Sequence, residues 1–226
     1  MRVAGIAHEK KGVIFDMDGL MVNSEELYWK ANIQASNEYH LGLAPDTYLK
    51  LVGASMTAMD EFYHKYFKNG QEREAFIKRT DDLVDQWTRE GRLKLKPGVN
   101  AALNRFGQLG LTIGLASSNY EKVIEQNLWV TGTRNCFDFI LSHDDAVRRK
   151  IRSKPAPDVY LAAQEKSGLA KAELLVFEDS STGVEAAYNA GLDVVMIPDL
   201  LAPKAADQER ASLICKDFWE FLEKIR

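Results

Sequence analysis

Short apolar runs, each ending just before polar or acidic residues, alternate along this chain with stretches of helical spacing. A short apolar run rich in β-branched residues is typical of a strand buried on both faces of a sheet. Such runs lie at Gly12–Met17, Leu111–Ala116, Phe137–Leu141, Leu174–Phe177 and Val194–Ile197. Strands that alternate with helices form parallel sheets covered on both faces. The sequence therefore predicts an α/β fold around a parallel sheet.

Residues 20–92 break this alternation. The stretch has no continuous strand-like run, and its apolar residues recur at helical spacing among Glu, Lys and Gln. The Gly and Pro residues of Gly91–Val99 suit a linker that returns to the next core helix. We therefore predict a core formed by residues 1–19 and 93–226, with a helical domain of residues 20–92 inserted into it.

The charge balance bears on the possible partners. The 226 residues include 29 Lys and Arg against 33 Asp and Glu, which gives a formal net charge of -4. Nucleic acids and anionic membranes favour a basic protein face, and a bilayer span needs about 20 apolar residues. We expect a cytoplasmic monomer with no nucleic acid or membrane partner. The basic segment Ala146–Pro155 is expected to be a solvated loop, or else to steer anionic substrates to a cleft.

The strongest chemical signal is the segment Phe15–Leu20, which reads FDMDGL. Asp16 and Asp18 follow the first predicted strand two residues apart, so both carboxylates can face one side of the strand end. Two acids placed in this way can flank one reacting atom. A polar turn that merely ends a strand has the same composition, so this motif alone leaves both interpretations open.

Three further segments follow predicted strands or precede predicted helices. Glu178 and Asp179 end a strand and offer the hard oxygen ligands that Mg²⁺ prefers, or simply the acidic start of a helix. Ser117, in the segment ASSN, can bind phosphoryl oxygens or cap a turn. Lys154 precedes two prolines and can neutralise a phosphate, or lie in solvent. In a parallel sheet all of these side chains gather at the carboxyl edge, where ligands bind.

Together these segments resemble the haloacid dehalogenase-like hydrolase superfamily. The resemblance rests on Asp16–Gly19, Ser117, Lys154 and Phe177–Gly191, which occur in the family's order. Residues 20–92 resemble the first cap type of that family, and the whole pattern is similar to β-phosphoglucomutase-like and pseudouridine-phosphatase-like members. The resemblance implies a doubly wound, Rossmann-like parallel sheet with an inserted helical cap domain.

The resemblance also implies Mg²⁺ and phosphoryl transfer through an aspartyl phosphate. Asp16 would be the nucleophile and Asp18 the general acid and base, which are roles that carboxyl groups can fill. Asp16, the backbone carbonyl of Asp18 and Asp179 would hold Mg²⁺, with Glu178 assisting directly or through water. Lys154 would offset the negative charge of the phosphate, and Ser117 would donate a hydrogen bond to a phosphate oxygen. Ser118 and Asn119, in the same segment as Ser117, are expected to contact the substrate.

Several activities within such a family differ by single residues. Dehalogenases do not use the second Asp of the first motif, so the presence of Asp18 argues against that chemistry. A phosphonatase of this family depends on a cap lysine that forms a Schiff base, and no lysine of residues 20–92 can be assigned that role. A β-phosphoglucomutase-like enzyme carries an arginine in its cap loop for a second phosphate, and Met56 stands at that place here. A thioether cannot replace a guanidinium, so a phosphatase is favoured over a mutase, and a phosphometabolite-binding module remains a third hypothesis.

The expected substrate is a small phosphorylated metabolite, such as a sugar phosphate or a nucleoside monophosphate. A helical lid excludes water and selects the leaving group, so the residues that determine the substrate are expected in the cap. The candidates there are Ser24, Tyr28, Gly53, Ala54, Ser55 and Met56, together with a cation of the later cap helix, either Lys78 or Arg79.

Overall fold

A six-stranded, entirely parallel sheet forms the centre of the molecule, in the order β3-β2-β1-β4-β5-β6. The computed structural model describes residues 1–54 and 56–226, and of residues 56 and 57 the backbone only. The strands are β1 Gly12–Phe15, β2 Thr112–Ala116, β3 Phe139–Leu141, β4 Leu174–Glu178, β5 Asp193–Met196 and β6 Leu213–Ile214. The chain order reverses next to β1, and ligands of doubly wound sheets bind at such a point.

Helices cover both faces of this sheet. After β1 the chain forms α1 Ser24–Glu38, α2 Met56–Tyr66, α3 Gly70–Arg89 and α4 Val99–Gln108. The later helices are α5 Glu121–Val130, α6 His143–Arg149, α7 Asp158–Ser167, α8 Ser181–Asn189, α9 Ala205–Arg210 and α10 Phe218–Leu222. Strands that alternate with helices on both faces confirm the predicted α/β, doubly wound, Rossmann-like fold. In the part of the chain that the structure describes, no helix has the length and apolarity needed to cross a bilayer.

The strands are apolar throughout because both of their faces are buried. In β1, Val13 and Phe15 belong to one core cluster, with α4, α5 and α10, while Ile14 belongs to the other, with α7 and α8. The ring centroid of Phe15 lies 5.1 Å from that of Phe177 and 5.5 Å from that of Phe218. Burial on both sides explains why a continuous apolar run predicted these strands.

The helices α1, α2 and α3 come from the residues predicted to form an insertion. Ala35, Tyr48, Tyr63, Phe67 and Phe76 form a separate apolar cluster between these helices and the turn before α2. Other residues of α1 and α3 pack into the main cluster on one face of the sheet. The segment therefore has its own small core and also contacts the sheet's core, while its division from the rest as a domain stays a prediction.

The segment after β3 differs from the expectation of a basic loop. Residues 143–149 form α6, which begins with a reciprocal cap: the amide of Asp145 donates to Ser142 Oγ at 3.2 Å, and the amide of Ser142 donates to Asp145 Oδ2 at 3.0 Å. Arg148 pairs with Asp145, Arg149 with Glu165 and Arg152 with Asp158. The arginines are therefore largely neutralised by local acids, which weakens the steering interpretation.

Two smaller elements complete the chain. Strand β6 was not predicted, because two residues are too short for a periodic signal. The last helix, α10, buries only part of its apolar surface. Phe218 and Phe221 are fully buried and Leu222 packs against them, but Trp219 remains 56% exposed on the other face of α10.

Candidate active site

A buried ion-pair cluster lies at the carboxyl edge of the sheet, next to β1 and β4. Lys154 Nζ donates to Asp16 Oδ1 and to Glu178 Oε1, at 2.6 Å in both cases. Burial alone would lower the pKa of Lys154, but the two carboxylates outweigh burial and raise it. Lys154 therefore stays a cation although its side chain is only 8% exposed.

The pKa of Asp16 shows the effect of this crowded charge. Burial is the main cause that raises its pKa, to about 7; Lys154 opposes this effect, and the neighbouring carboxylates of Glu178 and Asp18 add to it. A single lysine cannot balance so many acids in a desolvated site. The ionised form of Asp16 therefore has too few neighbouring cations to offset the surrounding carboxylates.

Glu178 is bound by donors on both oxygens. Besides Lys154, the hydroxyl of Tyr160 donates to Oε1 at 2.5 Å. The amides of Asp179 and Ser180 donate to Oε2 at 3.1 and 3.3 Å, and Ser180 Oγ donates to it at 3.1 Å. A Cβ atom on Gly183 would lie 1.9 Å from the carboxylate, so glycine at the start of α8 makes room for it. These contacts fix the loop that presents Asp179 and leave Glu178 little free capacity.

Asp18 lies in a hydrogen-bonding pocket of its own. Ser24 Oγ, at the start of α1, donates to Asp18 Oδ1 at 2.8 Å. Ser117 Oγ and Asn119 Nδ2, in the segment after β2, both lie 3.4 Å from Asp18 Oδ2. Burial raises the pKa of Asp18, and the three donors oppose that shift. The carboxyl group is thus held in place and retains a tendency to bind a proton.

Three carboxylates are arranged in a way that can hold a metal ion. One oxygen each of Asp16, Glu178 and Asp179 lies within 4.8 Å of the other two, and all three residues are buried. Burial, followed by the neighbouring acids, raises the pKa of Asp179. Gly19 has a φ of +75°, and a Cβ there would lie 2.2 Å from Asp179 Oδ2, so only glycine allows this approach. The oxygen donors and the crowded negative charge fit a divalent cation.

A cavity of about 700 Å³ opens from these groups toward α1 and α3. Its wall includes all of the predicted site residues that the structure describes in full except Glu178, which lies beneath the surface, and the two alternative cap cations, Lys78 and Arg79. Ser118 and Ala54 also line the cavity, and among the described residues no hydrogen bond joins the Ser118 hydroxyl to the acidic cluster. Four segments that are distant in sequence therefore converge on one space, as the parallel sheet predicts.

Gly53 connects the turn before α2 to the loop after β4. Its carbonyl accepts a hydrogen bond from Thr182 Oγ1 at 2.9 Å, and its amide donates to the carboxylate of Glu25 on α1. Burial, with the charges of Asp18 and Asp199, raises the pKa of Glu25 to about 8. Gly53 therefore lies where the inserted helices meet the candidate site. Ser55 and the side chain of Met56 fall outside the described residues.

Arg79 lies away from the cavity, contrary to its prediction as a substrate contact. Its guanidinium donates to both carboxylate oxygens of Glu38 at 2.7 and 2.8 Å, which ties α3 to the end of α1 on the outer surface. Arg79 borders the buried face of α3, three residues after Phe76 and four before Leu83, and its ion pair with Glu38 accounts for its distance from the cavity. The sequence alone does not predict this pairing.

Sequence reasoning missed two residues of the site, Tyr160 and Glu25. Tyr160 belongs to an apolar stretch of α7 and has the spacing of a core residue, yet its hydroxyl reaches Glu178. Glu25 is one of two adjacent glutamates that both suit the first turn of a helix. The available signal for Glu25 was its place seven residues after Asp18, at the entry to the insertion.

Comparison with known proteins agrees with this geometry. The family model described as haloacid dehalogenase-like hydrolase matches residues 13–197. The chain is 30% identical to hexitol phosphatase B from Escherichia coli over 203 residues, which cover 87% of this chain and 86% of that protein. It is 28% identical to a phosphorylated carbohydrates phosphatase from Thermotoga maritima over 183 residues, 81% of this chain and 82% of that one.

The fold is shared with a solved β-phosphoglucomutase from Clostridium difficile. The TM-score is 0.72 at 19% sequence identity, and the match covers 92% of each chain. The resemblance drawn from the motifs, and with it the enzyme class, is therefore confirmed. The chain belongs to the haloacid dehalogenase-like hydrolase family.

Proposed function

We propose that this protein is a Mg²⁺-dependent phosphomonoester hydrolase that acts on a small phosphorylated metabolite through an aspartyl phosphate on Asp16. The observation that carries the proposal is the imbalance of buried charge. The carboxylates of Asp16, Glu178 and Asp179 crowd around one lysine, Lys154. A site that is so rich in anions suits a bound cation, and with that cation it suits a phosphate.

Asp16 and Asp179 would hold the metal with the backbone carbonyl of Asp18. Glu178 supports them by binding Lys154 and the Asp179 amide. Bound Mg²⁺ would supply positive charge that lets a carboxylate and a phosphate approach each other. Lys154 contributes the same kind of charge from the protein side.

The chemistry of the protein groups proceeds in two steps. A carboxylate oxygen of Asp16 attacks phosphorus, the bond from phosphorus to the leaving oxygen breaks, and Asp18 donates its proton to that oxygen. Asp18, now ionised, takes a proton from water while the water oxygen attacks phosphorus, and the bond from phosphorus to Asp16 breaks. Inorganic phosphate leaves and Asp18 is protonated again. The hydrogen bonds from Ser24, Ser117 and Asn119 hold Asp18 for both transfers.

The test is phosphate release from a panel of sugar phosphates, nucleotides and an aryl phosphate, with Mg²⁺ or with a chelator. Asp16→Asn should lower kcat by about 10³-fold or more. Asp82→Asn, an equal charge change on the outer face of α3, should leave turnover unchanged. Hydrolysis by the native protein that persists in chelator, or in Asp16→Asn, contradicts the proposal.

Asp18→Asn gives a sharper view of the intermediate. An aryl phosphate has a good leaving group and needs little help from an acid, whereas hydrolysis of the aspartyl phosphate needs the base. The variant should therefore accumulate protein that is heavier by one phosphoryl group, carried on the peptide that contains Asp16. Conversion of a sugar phosphate to its isomer without phosphate release would identify a mutase instead. Binding without any turnover would identify a phosphometabolite-binding module.

A further inference from the structure

The hydroxyl of Tyr160 has no part in the two steps proposed above. Tyr160 lies in the first turn of α7, is fully buried, and packs its ring into the apolar cluster between α7, α8 and the sheet. Among the residues that the structure describes, those that line the cavity do not include it. A phenylalanine would fill the same space in the cluster, so packing alone does not account for the hydroxyl.

This hydroxyl shares one acceptor with Lys154. Both groups donate to Oε1 of Glu178, at 2.5 Å from the Tyr160 hydroxyl and at 2.6 Å from Lys154 Nζ. Burial, followed by the charge of Glu178, raises the pKa of Tyr160 well above its ordinary value, so the phenol keeps its proton and remains a donor. Hydrogen bonds from a hydroxyl to a carboxylate are among the stronger ones. Oε1 is therefore held from two sides.

The ring of Tyr160 also supports Lys154 directly. Lys154 Nζ lies 4.9 Å from the centroid of this ring, within the range of a cation–π interaction. An ammonium group has three N–H donors, and Lys154 uses two of them on Asp16 Oδ1 and Glu178 Oε1. Since Lys154 lines the cavity, the third donor is left for a phosphate oxygen there.

The other oxygen of Glu178 is fixed by the loop after β4. The amides of Asp179 and Ser180 and the hydroxyl of Ser180 donate to Oε2. Tyr160 and Lys154 are the two donors to Oε1 in the part of the chain that the structure describes. Without the Tyr160 hydroxyl, the charge of Oε1 would act on Lys154 alone and draw its ammonium group away from Asp16.

We infer that Tyr160 is a positioning residue of this site: its hydroxyl shares Glu178 Oε1 with Lys154 and so keeps the ammonium group directed at Asp16 and at the phosphate. This inference rests on the proposed function and adds to it a residue outside the reacting groups. A fixed cation stabilises the charge of phosphoryl transfer only where its position is correct, and a small displacement of such a group costs up to about 10²-fold in rate.

Tyr160→Phe tests the inference because it keeps the ring and removes only the hydroxyl. For the best substrate of the panel, kcat/KM should fall by about 10-fold, as expected for a lost hydrogen bond to a charged group. Tyr48→Phe is the matched control. It removes the hydroxyl of another buried tyrosine, which belongs to the apolar cluster of the inserted helices, and should change kcat/KM by less than about 2-fold. Both variants are assayed below their melting temperatures.

A double-mutant cycle with Lys154→Met distinguishes positioning from packing. If Tyr160 acts through Lys154, Tyr160→Phe should lower kcat/KM by less than about 2-fold in a protein that already carries Lys154→Met. Glu178→Gln is a second background with the same expectation, because the hydroxyl acts on Lys154 through that carboxylate. An equal loss in the native and the variant backgrounds would mean that Tyr160 is merely structural, and would overturn the inference. Native kcat/KM in Tyr160→Phe would overturn it as well.

Calorimetry with inorganic phosphate in the presence of Mg²⁺ gives a readout that needs no turnover. Phosphate should bind about 10-fold more weakly to Tyr160→Phe than to the native protein, and adding Tyr160→Phe to Lys154→Met should weaken binding by less than about 2-fold. If these binding results appear in a protein that hydrolyses nothing, the proposed function fails and the inference stands. If the native protein hydrolyses the panel but the two losses are independent, the inference fails and the proposed function stands.

Discussion

Two buried lysines lie at opposite edges of the same sheet, and they have different surroundings. Lys10 precedes β1 at the amino edge, where its Nζ donates to the carbonyl of Ala172 at 2.7 Å and to Asp193 Oδ2 at 2.6 Å. Lys154 lies at the carboxyl edge and donates to two carboxylates. One lysine meets a single acid and a neutral oxygen, whereas the other is outnumbered by acids.

This difference separates a structural ion pair from the proposed reactive site. At the amino edge, charges cancel: burial alone would raise the pKa of Asp193, but the hydrogen bonds from Lys10 and Ser212 outweigh it and lower the pKa. At the carboxyl edge, burial raises the pKa values of Asp16, Asp18 and Asp179, and too few cations lie nearby to offset this effect. Shifted pKa values of this sign mark a site that is completed by a ligand or by an ion.

Among the changes that test this comparison of the two lysines, Lys154→Met should have the largest effect. Removal of this cation leaves Asp16 and Glu178 buried without their shared partner, so we expect kcat/KM to fall by about 10²- to 10³-fold. The free energy of unfolding should also fall, by about 3 to 5 kcal/mol. Steady-state kinetics and urea unfolding check both values. Lys150→Met, at an exposed position nearby, should change neither, and retention of activity in Lys154→Met would contradict the comparison.

Lys10→Met should affect stability alone. Asp193 would lose its cation, but its side chain is 31% exposed and Ser212 still donates to it, so we expect a loss of about 1 to 3 kcal/mol. Below the melting temperature, kcat/KM should stay within about 2-fold of the native value because the site lies at the other edge. Lys11→Met is the matched control, since that lysine is exposed and should matter little. A large change in kcat/KM would show that the two edges are not independent.

Added Mg²⁺ should stabilise the carboxyl edge only. A ligand that binds the folded state stabilises it by about 2.7 kcal/mol at a concentration of 100 times its Kd. Thermal melting should therefore shift upward with Mg²⁺ in the native protein and in Lys10→Met. Asp179→Asn should abolish that shift and melt higher than the native protein in chelator, because it removes one of the crowded carboxylates. Equal melting of the native protein with and without Mg²⁺ would contradict this account.

The same comparison shows which features a sequence can predict. The position of Lys154 beside the acidic motifs was predictable, because it follows a predicted strand and precedes two prolines, and a parallel sheet brings the carboxyl ends of its strands together. Lys10 and Lys11 are adjacent and chemically identical, and only the fold decides that Lys10 meets Asp193, 183 positions away. Motifs at strand ends were predictable because the sheet places all strand ends alike. Single partners that are distant in sequence were not.

The inserted helices were the least predictable part of the site. Apolar spacing indicated helices there, but the pairing of Arg79 with Glu38, which holds its guanidinium away from the cavity, depends on how α3 packs against α1. Helix α6 did carry a visible signal in the cap formed by Ser142 and Asp145, which the arginines that follow obscured. Helix faces follow from packing, so substrate contacts on helices are harder to predict than motifs at strand ends.

The smallest expected effect is a pH dependence of opposite sign at the two edges. Burial raises the pKa of Glu25, near the carboxyl edge, from 4.5 to about 8, so the folded state binds its proton more tightly than the unfolded chain does. Its contribution to stability is fully present below about pH 4.5 and is lost as the pH rises through about 8. Asp193 has a lowered pKa, so its contribution is present above its ordinary value of 3.8 and is lost in acid.

Urea unfolding of the protein in chelator, from about pH 5 to about pH 9, measures the first of these slopes. The free energy of unfolding should decline toward the alkaline end, and Glu25→Gln should flatten that decline by about 1 to 2 kcal/mol. One pKa unit corresponds to about 1.4 kcal/mol, and the contact of Glu25 with solvent reduces the effect. Asp193→Asn should leave this slope unchanged, because Asp193 does not titrate in that range, and should reduce only the loss of stability below about pH 4. Glu26→Gln, beside Glu25 but only partly buried and paired with Lys30, controls for the change of charge. If Glu25→Gln and Glu26→Gln alter the alkaline slope equally, the carboxyl edge responds to net charge and not to the burial of Glu25, and the contrast between the two edges loses its electrostatic basis.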